Sequence, residues 1–411
     1  MEPSTCPYPL DPTGSELHAE AARLSARGAA TRVSLPGEVE AWLVTDPEVL
    51  RSLFADPRVS KDPHRHWPGY RDLPPDWPLH TWVSMRNMFN SHGADHRRLR
   101  ALIAPAFTTR RIRGLRPHIE RITAGLLDEV AAARPGVAID LREHFANPLP
   151  VAVISSLLGI TDRDALDEMR RLVETFFSTT TSPEQMVAGM ETLYRLFGEH
   201  VASCRRNPGD DLTSDLLAMR DEDGTRLSDG ELTDTLMLMF SAGHETTVNL
   251  LGHAIAELLT EPRHLAGLRA GELSWDAVVE ETLRWQPPLA NLPLRFATED
   301  VALPGGGTIR AGEPIVAGLL AANRHPAHYP DGDLFDPARA DTAHLSFGHG
   351  VHFCVGSQLA RLEARIALSA LFDRFPRLTA AFSELEQRPS FISNGHVDLF
   401  AIPTPEAAGA E

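Results

Sequence analysis

The sequence predicts a mainly α-helical chain with a small β portion, folded as one large domain. Three observations carry that prediction. Helical hydrophobic periodicity dominates residues 95–133, 148–158 and 163–204. A further helical run over 228–260 opens on Ser228-Asp229-Gly230-Glu231, a capping box. At about 1.5 Å per residue it would reach about 45–50 Å, the diameter of a whole domain. No Gly/Ser linker, repeat or low-complexity segment divides the 411 residues. One core over 1–411 is therefore expected, with 1–14 and 404–411 as flexible tails.

The elements follow in order. Residues 31–35 and 40–45 read as short strands around Pro36-Gly37. Residues 46–55 read as a helix, with Asp46 at the N-cap and Pro47 at the first helical position. Residues 64–78 are dense in Pro and Trp and read as a long irregular loop. The 228–260 helix contains Asp234, His244, Glu245 and Glu257, too polar for a membrane span. It reads instead as a central helix through a single core. Residues 275–285 form another helix, stopped by Pro287-Pro288. From 295 to 318 strand-like runs alternate with turns. Gly305-Gly306-Gly307 reads as a hairpin turn, because no helix or Lys-Ser/Thr follows as a phosphate loop requires. A last helix, 355–375, is closed by Pro376.

Composition narrows the function. Residues 1–14 are rich in proline and polar residues, so neither a signal peptide nor a membrane anchor is expected. Cys6, Cys204 and Cys354 are odd in number and far apart, which argues against a disulfide framework and fits a reducing cytoplasm. A net charge of −17 argues against nucleic acid as a partner. Arg97, Arg98, Arg100, Arg110, Arg111, Arg113 and Arg116 nevertheless crowd one region. They form either a solvated helix face or a basic patch that docks an acidic partner.

The chemistry concentrates in Phe347-Gly348-His349-Gly350-Val351-His352-Phe353-Cys354-Val355-Gly356. Glycines let the backbone pass close to something flat, and a thiolate shielded from water needs donors or a metal. A lone cysteine is usually a small buried hydrophobe, but the ordered pattern F-x-x-G-x-H-x-C-x-G is far more restrictive. It resembles the haem-binding loop of the cytochrome P-450 family. The resemblance makes Cys354 the axial iron ligand, in a loop built by Gly348 and Gly356, with Phe347 near its sulfur. His352 becomes a donor to a haem propionate. The cofactor implied is haem b, iron protoporphyrin IX, held between a long distal helix and the proximal Cys loop and helix.

Ala242-Gly243-His244-Glu245-Thr246-Thr247 interrupts the central helix with residues that helices do not favour; glycine alone costs about 1 kcal/mol. A packing glycine with threonines bonded to the preceding turn is one reading. A groove where a ligand approaches the backbone is the other. A zinc-protease H-E-x-x-H fails at Val248. The segment resembles the family's oxygen-activation motif. On that resemblance Thr246 hydrogen-bonds oxygen and its water, Glu245 relays protons from solvent, and Ala242 and Gly243 leave room beside the haem.

Other motifs gain weight from position. Glu281 and Arg284, at i,i+3, would ordinarily be a surface pair worth under about 0.5 kcal/mol. They resemble the family's buried E-x-x-R pair, with Arg339 as its third member. His96 and Arg100, one turn apart, resemble propionate donors, as does Arg295. By family position the substrate would meet Trp82, Val83, Met88 and Phe89, then Phe176, Phe177 and Met186. Further contacts would be Met239, Phe240, Thr247, Leu289, Ala290, Asn291, Leu292 and Ile392. Ordinary core packing accounts for any one of these equally well.

Taken over nearly the whole chain, the resemblance is to the bacterial, actinobacterial type. It implies a haem-thiolate monooxygenase that hydroxylates or epoxidises a bulky, mostly apolar molecule such as a steroid, macrolide or other polyketide. It takes O₂ as co-substrate and electrons from a separate acidic ferredoxin and its NAD(P)H reductase. A peroxide-driven peroxygenase and a catalytically reduced binding module are the competing readings; the intact Glu245-Thr246 pair and Cys354 argue against them.

Overall fold

The structure is a computed structural model describing residues 6–74, 76–220, 224, 226–304 and 306–404. In chain order, β1 (Tyr8–Pro9) and α1 (Leu17–Ser25) precede β2 (Ala30–Leu35) and β3 (Val39–Val44); α2 (Pro47–Ala55) then leads to β4 (Val59–Ser60). Helices α3 (Pro63–His66), α4 (His80–Ser84), α5 (Gly93–Ile103) and α6 (Thr109–Ala131) follow. Next come β5 (Ile139–Asp140), α7 (Pro148–Leu158), α8 (Arg163–Phe177), α9 (Pro183–Arg206) and α10 (Leu212–Ala218). The central α11 (Asp229–Thr260) is followed by α12 (Pro262–Ala270) and α13 (Trp275–Trp285). The second β-rich part is β6 (Asn291–Ala297), β7 (Val301–Ala302), β8 (Thr308–Ile309) and β9 (Pro314–Gly318), with α14 (Leu319–Asn323) after it. The chain closes with α15 (Ser357–Arg374), β10 (Thr379–Ala380) and β11 (Phe400–Ile402).

The mainly α architecture with a small β portion is as expected. Asp46 Oδ1 caps α2 by accepting from the N–H groups of Glu48 and Val49 at 2.9 and 3.0 Å. Ser228 Oγ accepts from Glu231 N–H at 3.2 Å, and Glu231 Oε2 accepts from Ser228 N–H at 2.9 Å, starting α11. Two long periodic stretches prove to be broken. Residues 95–133 divide at a 3₁₀ turn, Ala104–Phe107, which holds Pro105. Residues 163–204 divide before Pro183, where Ser182 and Gln185 form a second capping box. The 64–78 loop contains a helical turn, α3, and a 3₁₀ turn at Pro68–Asp72. Of the expected N-terminal tail, residues 1–5 lie outside the described residues, and Tyr8 and Pro9 pair in parallel with Val33 and Ser34. Gly306 and Gly307, both at positive φ, connect β7 to β8 as a hairpin; Gly305 and 405–411 lie outside the described residues.

The strands form a six-stranded sheet of order β1-β2-β3-β9-β6-β4, a three-stranded sheet β10-β11-β5, and the hairpin β7-β8. Two large apolar clusters share α11. Residues Leu232 to Phe240 pack with Trp82, Phe176, Phe177 and Ile392. Residues Val248 to Leu258 pack with α6, α13 and α15. The six residues from Ala242 to Thr247 belong to neither cluster and sit where the two cores part. Among the described residues no single helix is long and apolar enough to cross a membrane.

Candidate functional site

The loop before α15 is built around its cysteine. Gly348 and Gly350 both adopt φ +71°, the left-handed region that favours glycine. A Cβ at Gly350 would lie 2.5 Å from the Phe54 carbonyl oxygen, so the loop can lie against α2 only with glycine there. Cys354 N–H donates to Phe347 O at 2.9 Å, closing the loop on itself. The Phe347 ring lies under the Arg361 guanidinium at 4.4 Å. Cys354 keeps accessible surface, yet protein surrounds its thiol densely. Burial pushes the thiol pKa up, and the Gly356 N–H and the charges of Arg100 and Arg361 pull it back. Gly356 itself has no steric need to be glycine, since its Cβ would stand 3.9 Å from Cys354 Sγ.

Three chain segments bring basic groups together near this loop. The rings of His96, from α5, and His352 are 4.1 Å apart, and the Nε2 atoms of both are buried without a hydrogen-bond partner among the described residues. Burial lowers the His96 pKa to about 4 and that of His352 further. Arg100 Nη2 donates to Phe353 O at 2.8 Å. Arg295, on β6, is 4% exposed and stacks 4.3 Å from the Phe54 ring; burial lowers its pKa to about 10. All four donors predicted from the sequence thus come together. Lys61, just after β4, was not predicted: it is 1% exposed, with Nζ 3.3 Å from Pro293 O.

On α11, Ala242 is exposed and Ser241, Gly243 and Thr246 are half-buried, in the middle of a stretch from Leu232 to Leu258 that is mostly enclosed. Thr246 Oγ1 donates to Ala242 O at 2.7 Å, so the threonine does bond to the preceding turn while keeping accessible surface. Gly243 is half-buried, and a Cβ there would meet Ile154 of α7 at 3.4 Å, an ordinary packing contact. His244 is fully buried, its Nε2 2.7 Å from Asn147 Oδ1, and burial lowers its pKa to about 3.

Glu245 is 0% exposed rather than solvent-facing. Its Oε1 accepts from Ser393 Oγ at 3.1 Å and Asn249 Nδ2 at 3.4 Å. Arg142 and Arg388 each approach it to 3.7 Å, and Oε2 has no hydrogen-bond partner among the described residues. Neither arginine was predicted. A buried carboxylate implies a cation, but nothing local in the sequence says which of many arginines supplies it.

Glu281 and Arg284 are both 0% exposed and bidentate, with two bonds of 2.7 Å. Arg284 also donates to the carbonyls of Asn323, Gly332 and Leu334 at 2.9–3.0 Å. Arg339 Nε stands 3.5 Å from Glu281 Oε1, completing the predicted trio.

The predicted substrate contacts divide. Trp82 stacks on Phe176 at 4.9 Å and meets Phe177 edge-on at 5.3 Å. Val83, Met88, Phe89, Met239, Leu289, Ala290 and Ile392 join the same cluster. Ala290 N–H donates to Ile392 O at 2.8 Å, tying the late loops together, and Asn291 Nδ2 donates to Phe391 O at 2.7 Å. Leu292 packs instead against the cluster under β4, β6 and β9. Phe240 turns toward Phe197 and His244, away from the Ala242–Thr246 face. Thr247 is buried at 3%. Met186 lines a separate cavity of about 500 Å³ between α4 and α9, with His80, Thr81, Ser84, Met190 and Tyr194.

Comparison with known proteins agrees over most of the chain. A family model described as Cytochrome P-450 matches residues 185–271 and 275–395. The 2-hydroxy-5-methyl-1-naphthoate 7-hydroxylase of Streptomyces carzinostaticus is 42% identical over 402 residues, 96% of this chain and 97% of that protein. The 6-deoxyerythronolide B hydroxylase of Saccharopolyspora erythraea is 38% identical over 347 residues, 83% of this chain and 84% of that one. Among solved structures, CYP154A1 from Streptomyces coelicolor A3(2) superposes with a TM-score of 0.92 at 47% identity, covering 96% of this chain and 99% of that one.

Proposed function

The chain belongs to the cytochrome P-450 family, a haem-dependent oxidoreductase of the monooxygenase class, and on that premise we propose that it hydroxylates or epoxidises a bulky, mostly apolar small molecule at Cys354-ligated haem b. Haem supplies, when bound, an iron centre at which O₂ is activated and one oxygen atom passes to a C–H or C=C bond.

The residues present fit that group. Two buried imidazole Nε2 atoms without partners, at His96 and His352, suit its carboxylates, as do the guanidinium groups of Arg100 and Arg295. Accessible surface at Ala242 and Thr246 on the distal helix, and at Cys354 on the proximal loop, suits a flat group between them. Cys354 would ligate iron as thiolate, its charge eased by the Gly356 N–H, Arg100 and Arg361. Thr246 Oγ would hold a proton at the distal face, released from the Ala242 carbonyl when it turns. Glu245 would move protons at Oε2, the oxygen without a hydrogen bond, with Arg142 and Arg388, each 3.7 Å away, holding the carboxylate in place.

The aromatic and aliphatic cluster around Trp82, Phe176 and Met239 supports a steroid, macrolide or other polyketide as substrate. Relatives named as hydroxylases of a naphthoate and of 6-deoxyerythronolide B support a carbon-rich small molecule as substrate. Electrons would come from a separate ferredoxin and its NAD(P)H reductase. The observation that carries the reading is the convergence of an accessible cysteine with partnerless buried donors. Carbon monoxide added to the reduced protein should give the red-shifted Soret band of thiolate ligation. Cys354→His should abolish that band; its survival would overturn the assignment.

A further inference from the structure

Lys61 is the only lysine in the 411-residue chain; every other cation of the Lys/Arg class is arginine. It is also among the largest fully buried side chains, at 1% exposure. Its Nζ donates to Pro293 O at 3.3 Å and stands 3.4 Å from the centroid of the Phe89 ring. An ammonium carries three donors, and one carbonyl with one aromatic face leaves it poorly compensated for the loss of water. Burial pushes its pKa well below the ordinary lysine range, and the charge of Arg295 adds to that.

The surroundings are basic on every side that matters. Antiparallel pairing of Ser60 with Phe296 brings Lys61 alongside Arg295. His352 feels the charges of Arg295, Lys61 and Arg100, and His96 those of Arg100 and Arg295. The neighbouring acid, Asp62, is engaged as the N-cap of α3, where it accepts from Arg65 N–H at 3.2 Å and lies 3.5 Å from the Arg65 side chain. Among the described residues no carboxylate forms an ion pair with Lys61 or Arg295.

We propose that Lys61 is a fifth donor to the haem carboxylates, acting beside Arg295. This inference rests on the haem reading given under Proposed function. Two buried cations, Lys61 and Arg295, then face the two carboxylates that haem brings, with the half-buried Arg100 as a further cation beside them. Lys61 is a positioning residue: it holds the cofactor and takes no part in bond making.

The test measures transfer of haem from the holoprotein to excess apomyoglobin. Lys61→Met should release haem about tenfold faster than the unsubstituted protein, the scale of one lost hydrogen bond to a charged group, and Lys61→Arg should fall between them. Reconstitution with haem dimethyl ester, whose carboxylates are masked, should erase the difference. Lys61→Gln serves where the methionine variant does not accumulate. Equal release from both proteins overturns the proposal, and so does a difference that persists with the ester, which would mark a packing role. Unchanged release with weakened binding of a 1-naphthoate probe also overturns it, assigning Lys61 to a substrate carboxylate. A holoprotein that lacks the red-shifted carbon monoxide band refutes thiolate ligation alone and leaves the release comparison intact; a chain that takes up no haem refutes both.

Discussion

Glu245 is held in a position that limits what it can do. Two arginines at 3.7 Å, a serine hydroxyl and an amide surround its carboxylate. Of the two, Arg388 has the more exposed side chain, at 18% against 5% for Arg142, so it is the one that can swing toward water. If Glu245 moves protons, Glu245→Gln should lower product formation about a hundredfold, the low end for a lost acid–base group. Substrate-induced spectral shifts should stay unchanged and the solvent isotope effect should grow. An unaltered rate of product formation in that variant would remove Glu245 from the chemistry.

At the scale of elements, the buried Glu281–Arg284 pair on α13 ties together α14 and the segment from Gly332 to Arg339. Arg284 spends its remaining donors on three carbonyls, and Glu281 also accepts from Asp336 N–H at 2.9 Å. Removing one charge strands the other. Glu281→Gln should therefore cost about 3–5 kcal/mol, read as a lower urea midpoint with loss of haem on expression. A midpoint within experimental scatter of the parent would show that the carbonyl contacts suffice. Helix α14 in turn anchors the cysteine loop, because Asn323 accepts from Leu345 N–H at 2.8 Å and donates to Ser346 Oγ at 2.9 Å. The iron ligand is thus held in place through a chain of polar contacts that begins at α13.

At the scale of the whole molecule, a net charge of −17 coexists with the arginines of α5 and α6. Some of these are already engaged: Arg98 with Glu231, Arg111 with Asp215, Arg116 with Glu120, and Arg100 with Phe353 O. Arg97, Arg110 and Arg113 are exposed and carry the docking role if there is one. Replacing all three by glutamate should raise the KM for an acidic ferredoxin about tenfold or more and flatten its dependence on ionic strength, with the haem spectrum unchanged. A salt dependence identical to the parent's would place the partner elsewhere. By itself the sequence determined what local chemistry can specify: the caps of α2 and α11, the limits of α7 and α13, the cysteine loop, and the class of reaction. Capping boxes, proline stops and a ten-residue motif are written in neighbouring residues, so they survive without a fold. The tertiary structure decided the rest. It alone set the three carbonyls that Arg284 binds, the clamp of Arg142 and Arg388 on Glu245, and the turning of Phe240 into the core. It alone put Lys61 beside Arg295, more than two hundred residues away along the chain. Burial, and the pairing that buried charge demands, depend on which distant segments exclude water from one another, and no local spacing carries that information.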